Sequence, residues 1–203
     1  MTAPTPALLV HGIWDDGARF DVMRAALEGA GVGPIAAIDL TPNDGSARIE
    51  RLAEQVDEAA RALLERAGAT RLDVVGFSMG ALVSRFWVQR LGGKGVTRRF
   101  VSISGPHAGT ATAWALPMAG VRQMRPGSSL LAELASDEDP WGEVEVHSVW
   151  TPFDLMILPP RSSRLAKSHR EHRLSVPMHR WMITDRRALE TVSAILTGSQ
   201  QAE

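Results

Sequence analysis

The segment Val74-Val75-Gly76-Phe77-Ser78-Met79-Gly80-Ala81-Leu82-Val83 decides the reading of this chain. A short apolar run leads into G-x-S-x-G, and an apolar, helix-compatible stretch follows. This is the sequence form of a nucleophile elbow, a strand-to-helix turn that lifts a serine clear of the backbone around it. The two glycines leave room where a side chain would collide with neighbouring backbone. A serine hydroxyl is a weak nucleophile unless a base and hydrogen-bond donors are held against it. A bare G-x-S-x-G match is a weak signal, because glycine and serine are common. Its flanks and its partners further along give it weight here.

Working outward, strand-like and helix-like segments alternate. Ala7–Ile13 is a short apolar run, as expected of a strand buried on both faces. Phe20, Met23 and Leu27 then fall at helical spacing, and Gly29 and Gly31 close that helix. Pro34–Leu40 reads as a second strand, and Ile49, Leu52, Val56, Leu63 and Leu64 as the stripe of a long amphipathic helix ended by Gly68. Leu72–Phe77 is the third strand and Met79–Leu91 its helix. Arg99–Ser104, Val144–Thr151 and His172–Val176 are strands four to six, and Leu189, Val192, Ile195 and Leu196 mark a last helix. This alternation predicts an α/β fold with a mostly parallel sheet of about six strands flanked by helices, in a single domain spanning 1–203. The excursion from 106 to 142 is long for a connection. Ser128–Leu134 within it reads as a capped short helix. The segment is either packed onto the body or forms a flap over the site.

Composition sets outer limits. The 203 residues are 44% apolar and 22% charged, so a sizeable core is available and wholesale disorder is not indicated. The formal net charge of −1 does not suit a nucleic-acid partner. The absence of cysteine excludes disulfides, a thiol nucleophile and Cys-ligated zinc. No stretch reaches the roughly 18 apolar residues of a membrane span. Ala7–Val10 is not preceded by a basic region of the kind that opens a secretory signal, so the expected location is cytoplasmic, or secreted if a signal was removed. The sequence assigns no oligomeric state.

In a parallel sheet the site lies beyond the carboxyl ends of the strands. Of the six histidines, His179 lies just past the sixth strand, on that edge. His11 ends strand one and is expected to hydrogen-bond loop backbone, a metal role with Asp15 or Asp16 being a minor alternative. His147 falls inside strand five, and His169 and His172 fall before or at the start of strand six. Asp154 follows the fifth strand, whereas Asp137, Glu138 and Asp139 precede it. Ser78, Asp154 and His179 therefore stand as nucleophile, orienting acid and base, in the chain order of α/β-hydrolases. The backbone N–H groups of Ile13 and Met79 are the expected oxyanion donors. Trp14, Phe153, Leu155 and Met178 are the expected substrate contacts, an apolar lining that suits an acyl chain better than a sugar or a phosphate. No phosphate loop or dinucleotide fingerprint occurs, and neither cofactor nor metal is expected.

Together Val10-His11-Gly12-Ile13, Gly76–Gly80, Gly105-Pro106-His107-Ala108-Gly109-Thr110, Asp154 and His179 resemble the small bacterial lipases of the α/β-hydrolase superfamily. Arg125–Leu131 is similar to a stretch common among triacylglycerol lipases. The resemblance spans about Leu8 to Leu196. It implies a truncated α/β-hydrolase sheet of six strands, a serine triad, no metal, and carboxylic-ester substrates. The longer 106–142 segment and the lack of an export signal depart from that group. The expected partner is a small-molecule or lipid ester, with transient lipid-surface contact through basic residues between Arg161 and Arg173 as a minority reading of a solvated face. A thioesterase or acyltransferase would use the same three residues, and a catalytically silent binding protein would keep the fold.

Overall fold

A computed structural model describes residues 5–199. Six strands form one sheet: β1 Ala7–Val10, β2 Ile35–Ile38, β3 Leu72–Phe77, β4 Thr97–Ile103, β5 Glu145–Trp150 and β6 Arg170–Arg173. Their order is β2-β1-β3-β4-β5-β6, and every neighbouring pair is parallel. Helices α1 Asp21–Gly29, α2 Ile49–Ala67, α3 Met79–Arg90, α4 Ala119–Gln123, α5 Ser129–Ala135 and α6 Arg186–Thr197 cover it.

The two faces follow from the two-residue period of the strands. Leu8, Val10, Val74 and Phe100 pack with α2 and α3 on one face. Leu9, Val75, Phe77, Val101 and Ile103 pack with α1 and α6 on the other. Both faces are therefore dry, and the central strands read as continuous apolar runs. Helix ends follow local chemistry: Gly68 and Gly198 close α2 and α6 in the left-handed conformation, at φ 59° and 74°. Ser128 caps α5 by accepting from Leu131 N–H.

The chain leaves β1 toward β2 on one side and returns to β3 on the other. Sheet order thus reverses at β1/β3, and the loops after these strands splay apart to leave a crevice.

One expectation needs adjustment, and one open choice is narrowed. Strand six is Arg170–Arg173 rather than His172–Val176. Only β5 pairs with it, so it is an edge strand with Arg170, Glu171 and Arg173 exposed and His172 half-buried; Val176 is buried beyond it, in the loop leading to His179. The 106–142 segment packs into the body: Leu130, Leu131, Leu134 and Trp141 are buried against Phe100, Val144 and Val146.

Candidate active site

Ser78 stands between β3 and α3 with φ 54° and ψ −124°, a conformation that costs a non-glycine residue on the order of 1–3 kcal/mol. Neighbouring packing enforces it. A Cβ on Gly80 would lie 2.3 Å from the carbonyl oxygens of both Val10 and His11, so the start of α3 can approach the end of β1 only as glycine. A Cβ on Gly12 would lie 2.9 Å from Cβ of Ser78. The loop after β1 therefore lies directly over the serine.

That loop is held by His11, which is fully buried. Its Nε2 accepts from Leu40 N–H at 2.9 Å and its Nδ1 donates to Gly12 C=O at 2.8 Å, the loop-backbone role expected of it. Trp14 N–H donates to Asn43 C=O, and Trp14 adopts a positive φ of 62°. The amides of Ile13 and Met79 have no acceptor among the described backbone contacts, and Met79 begins α3, where such amides are orphaned by helix geometry.

Asp154 is buried in the loop after β5. Its Oδ1 accepts from the N–H groups of Met156 and Ile157, each at 2.9 Å, and its Oδ2 accepts from His179 Nδ1 at 2.7 Å. The carboxylate is fully engaged, and the ring of His179 is pinned with Nε2 outward. Phe77 lies against that ring, with centroids 4.9 Å apart. Ser78 and His179 share one cavity of about 430 Å³. They form no direct hydrogen bond among the described residues; such contacts are often long without substrate and tighten when it binds.

Ile13, Trp14, Phe153, Leu155, Met156 and Met178 line the same cavity, so the four expected substrate contacts converge on Ser78. Trp14, Phe153, Leu155 and Met178 are all exposed. The sequence reading missed Phe77, Asp15, Arg19, Pro177 and Arg180, which also line it. Arg180 was legible as the neighbour of His179, but nothing in the sequence marks Arg19. No residue of 106–142 lines this cavity.

Asp137, Asp139 and the other histidines are engaged elsewhere. Asp137 bonds Arg90 at 2.7 Å and Asp139 accepts from Gly142 N–H. His107 bonds Ser102, His169 accepts from Val146 N–H, and His147 and His172 stack. Among the described residues no helix is long and apolar enough to cross a membrane.

A parallel sheet, a strained serine at the strand-to-helix turn and a pinned Asp–His pair in one crevice define a protein of the α/β-hydrolase class. The profile of the palmitoyl protein thioesterase family matches residues 6–153, and the chain belongs to that family. No curated protein sequence matches it. Similar solved structures include lipases. Aspergillus fumigatus lipase B aligns over 96% of this chain and 52% of its own, at TM-score 0.81 and 14% identity. A Bacillus licheniformis lipase in its propeptide form aligns over 100% and 52%, at 0.83 and 15%. A Paleococcus ferrophilus monoacylglycerol lipase aligns over 97% of both chains, at 0.70 and 16%. The chain thus spans about half the length of the first two. At these identities the likeness is one of fold.

Proposed function

We propose that this chain is a serine hydrolase that cleaves esters of apolar acyl chains through an acyl-enzyme. The observation that carries this reading is the Asp154–His179 hydrogen bond of 2.7 Å in the cavity that holds Ser78. In this scheme Ser78 Oγ attacks the acyl carbon while His179 Nε2 takes its proton. The negative charge passes to the carbonyl oxygen, which the Ile13 and Met79 N–H groups receive. Collapse breaks the bond to the leaving group, which takes the proton from His179. Water repeats the sequence, releasing the acid and restoring Ser78. Asp154 fixes Nδ1–H and stabilises the imidazolium.

A cavity of this size and apolar lining suits an acyl chain. The family match favours a second reading, a thioester in place of the oxygen ester, with the same residues in the same roles.

A fluorophosphonate probe tests the core of the proposal. Stoichiometric labelling at Ser78, lost in Ser78→Ala, is expected, and an unlabelled Ser78 in folded protein would sink it. Matched p-nitrophenyl and thioester substrates of equal acyl length then separate the two readings by kcat/KM.

A further inference from the structure

A second cavity, of about 360 Å³, shares no lining residue with the first. Arg85 and His107 line it, with Leu131, Leu134 and Trp141 as apolar wall and Lys167 beside them. Arg85 lies on α3, about two turns beyond Ser78.

Arg85 is only 6% exposed, yet no carboxylate pairs with it among the described residues. Arg90, Arg98 and Arg99, by contrast, all have carboxylate partners. The Arg85 guanidinium donates only to neutral groups, Nε to Gln89 Oε1 at 3.0 Å and Nη1 to His107 C=O at 3.2 Å. Nη2 has no described acceptor. Burial pushes its pKa down to about 10, so it remains a cation at neutral pH. A buried charge without a bonded counter-ion is costly, and buried charges are ordinarily paired; Asp137, bonded to Arg90, offsets this one only from a distance.

The second observation is His107, which is 5% exposed. Its Nε2 meets Ser102 Oγ at 2.6 Å, while its Nδ1 is buried with no partner. Burial, and then the charge of Arg85, hold the ring neutral. With Nε2 taken up by Ser102 Oγ, Nδ1 is left without a partner in either tautomer. Arg85 Nη2 and His107 Nδ1, neither with a described partner, thus belong to two polar residues that line one largely apolar cavity.

We propose that this cavity binds a carboxylate with an apolar body, its head on Arg85 beside His107 and its hydrocarbon between Leu131, Leu134 and Trp141. The exposed Lys167 and Arg164 at its rim favour entry of an anion. Arg164 is offset by Glu171 at 2.7 Å, whereas Lys167 binds only the carbonyls of Asp137 and Glu138. Asp137 also lines the cavity, tied to Arg90. Its charge disfavours a multiply charged phosphate and leaves a monoanion as the better match to Arg85.

Octanoate is the probe, titrated into the full chain by calorimetry. Saturable one-site binding is expected. Ala132→Trp, which fills the cavity from an exposed position on α5 and leaves Arg85 in place, is expected to weaken it at least tenfold. Arg85→Met does the same if it folds; if it does not, Ala132→Trp carries the test. Met178→Ala, in the Ser78 cavity, leaves the affinity unchanged. 1-Octanol does not bind, and inorganic phosphate does not displace octanoate. The proposal is overturned by absent binding, by undiminished binding in Ala132→Trp, by loss in Met178→Ala, by equal affinity for octanol or by displacement with phosphate. None of these readouts depends on whether Ser78 is a nucleophile.

Discussion

Oδ2 of Asp154 accepts a hydrogen bond from Nδ1 of His179 at 2.7 Å, across two loops that leave neighbouring strands of the sheet, β5 and the edge strand β6. The other carboxylate oxygen is held by two backbone N–H groups, so the acid cannot swing away when the imidazole is displaced. Asp154→Asn should keep the fold and lose activity by roughly 10⁴, because an amide leaves the ring in the wrong tautomer. Asp139→Asn, whose carboxylate accepts from Gly142 N–H and pairs loosely with Lys94 at 3.8 Å on the surface, should stay within about twofold by the usual smallness of surface substitutions. Ester hydrolysis by both purified variants decides it. A normal Asp154→Asn enzyme would remove Asp154 from the site.

Ser78→Ala should abolish turnover, with a loss on the order of 10⁶ by analogy with serine-protease triads. Thermal stability should hold or rise slightly, since alanine retains the packing at this turn. The positive φ remains strained in either residue. Residual turnover within tenfold of the parent would end the assignment.

Both residues were legible in the sequence because elbow and loop chemistry is local. Gly76 and Gly80 answer to contacts with the backbone beside Ser78, and Asp154 and His179 each follow an identifiable strand. The edge strand was not legible. Arg-Glu-His-Arg has no apolar alternation because water covers it, so the reading slid onto the apolar Leu174-Ser175-Val176. The place of Arg19 in the cavity was hidden for another reason: it depends on how the turn after β1 meets the loop of Arg180, whose carbonyl accepts from Arg19 Nη2. Nor could periodicity alone say which surface the leucines of α5 meet, and sequence left packing and flap open.

Those leucines now yield a prediction about stability. Leu130, Leu131 and Leu134 are nearly inaccessible and sit in the core beside Trp141. Leu134→Ala should destabilise the fold by about 2–5 kcal/mol, the range for a buried leucine truncated to alanine. In folded variant, kcat/KM for short and long esters should fall by the same factor, since no residue of this segment lines the Ser78 cavity. Chemical denaturation and an ester-length series test both halves. A selective loss on long esters at unchanged stability would restore the flap reading.

The last prediction concerns acid. His147 Nδ1 and His172 Nε2 lie 3.1 Å apart with their rings stacked, and His147 Nε2 meets Glu145 Oε1 at 2.9 Å. When both rings are protonated, like charges face each other across the His–His contact. Burial, then His147, then Arg170, push the His172 pKa down to about 4 from 6.5. Burial likewise lowers that of His147, against the pull of Glu145. A depressed histidine pKa means that the unfolded chain takes up the proton first. Its contribution to stability is complete above pH 6.5, falls between 6.5 and about 4, and changes no further below that. A shift of that size corresponds to about 3 kcal/mol in a dry site. Solvent screening at this partly exposed edge reduces it to about 1 kcal/mol. In a chain of this length that is roughly 2–4 °C in Tm. His172→Gln should therefore flatten the decline of Tm between pH 7 and pH 4.5 by that amount while leaving ester hydrolysis at pH 7 intact. Equal declines in parent and variant would show that the histidine pair does not set the acid limit of the β5–β6 edge.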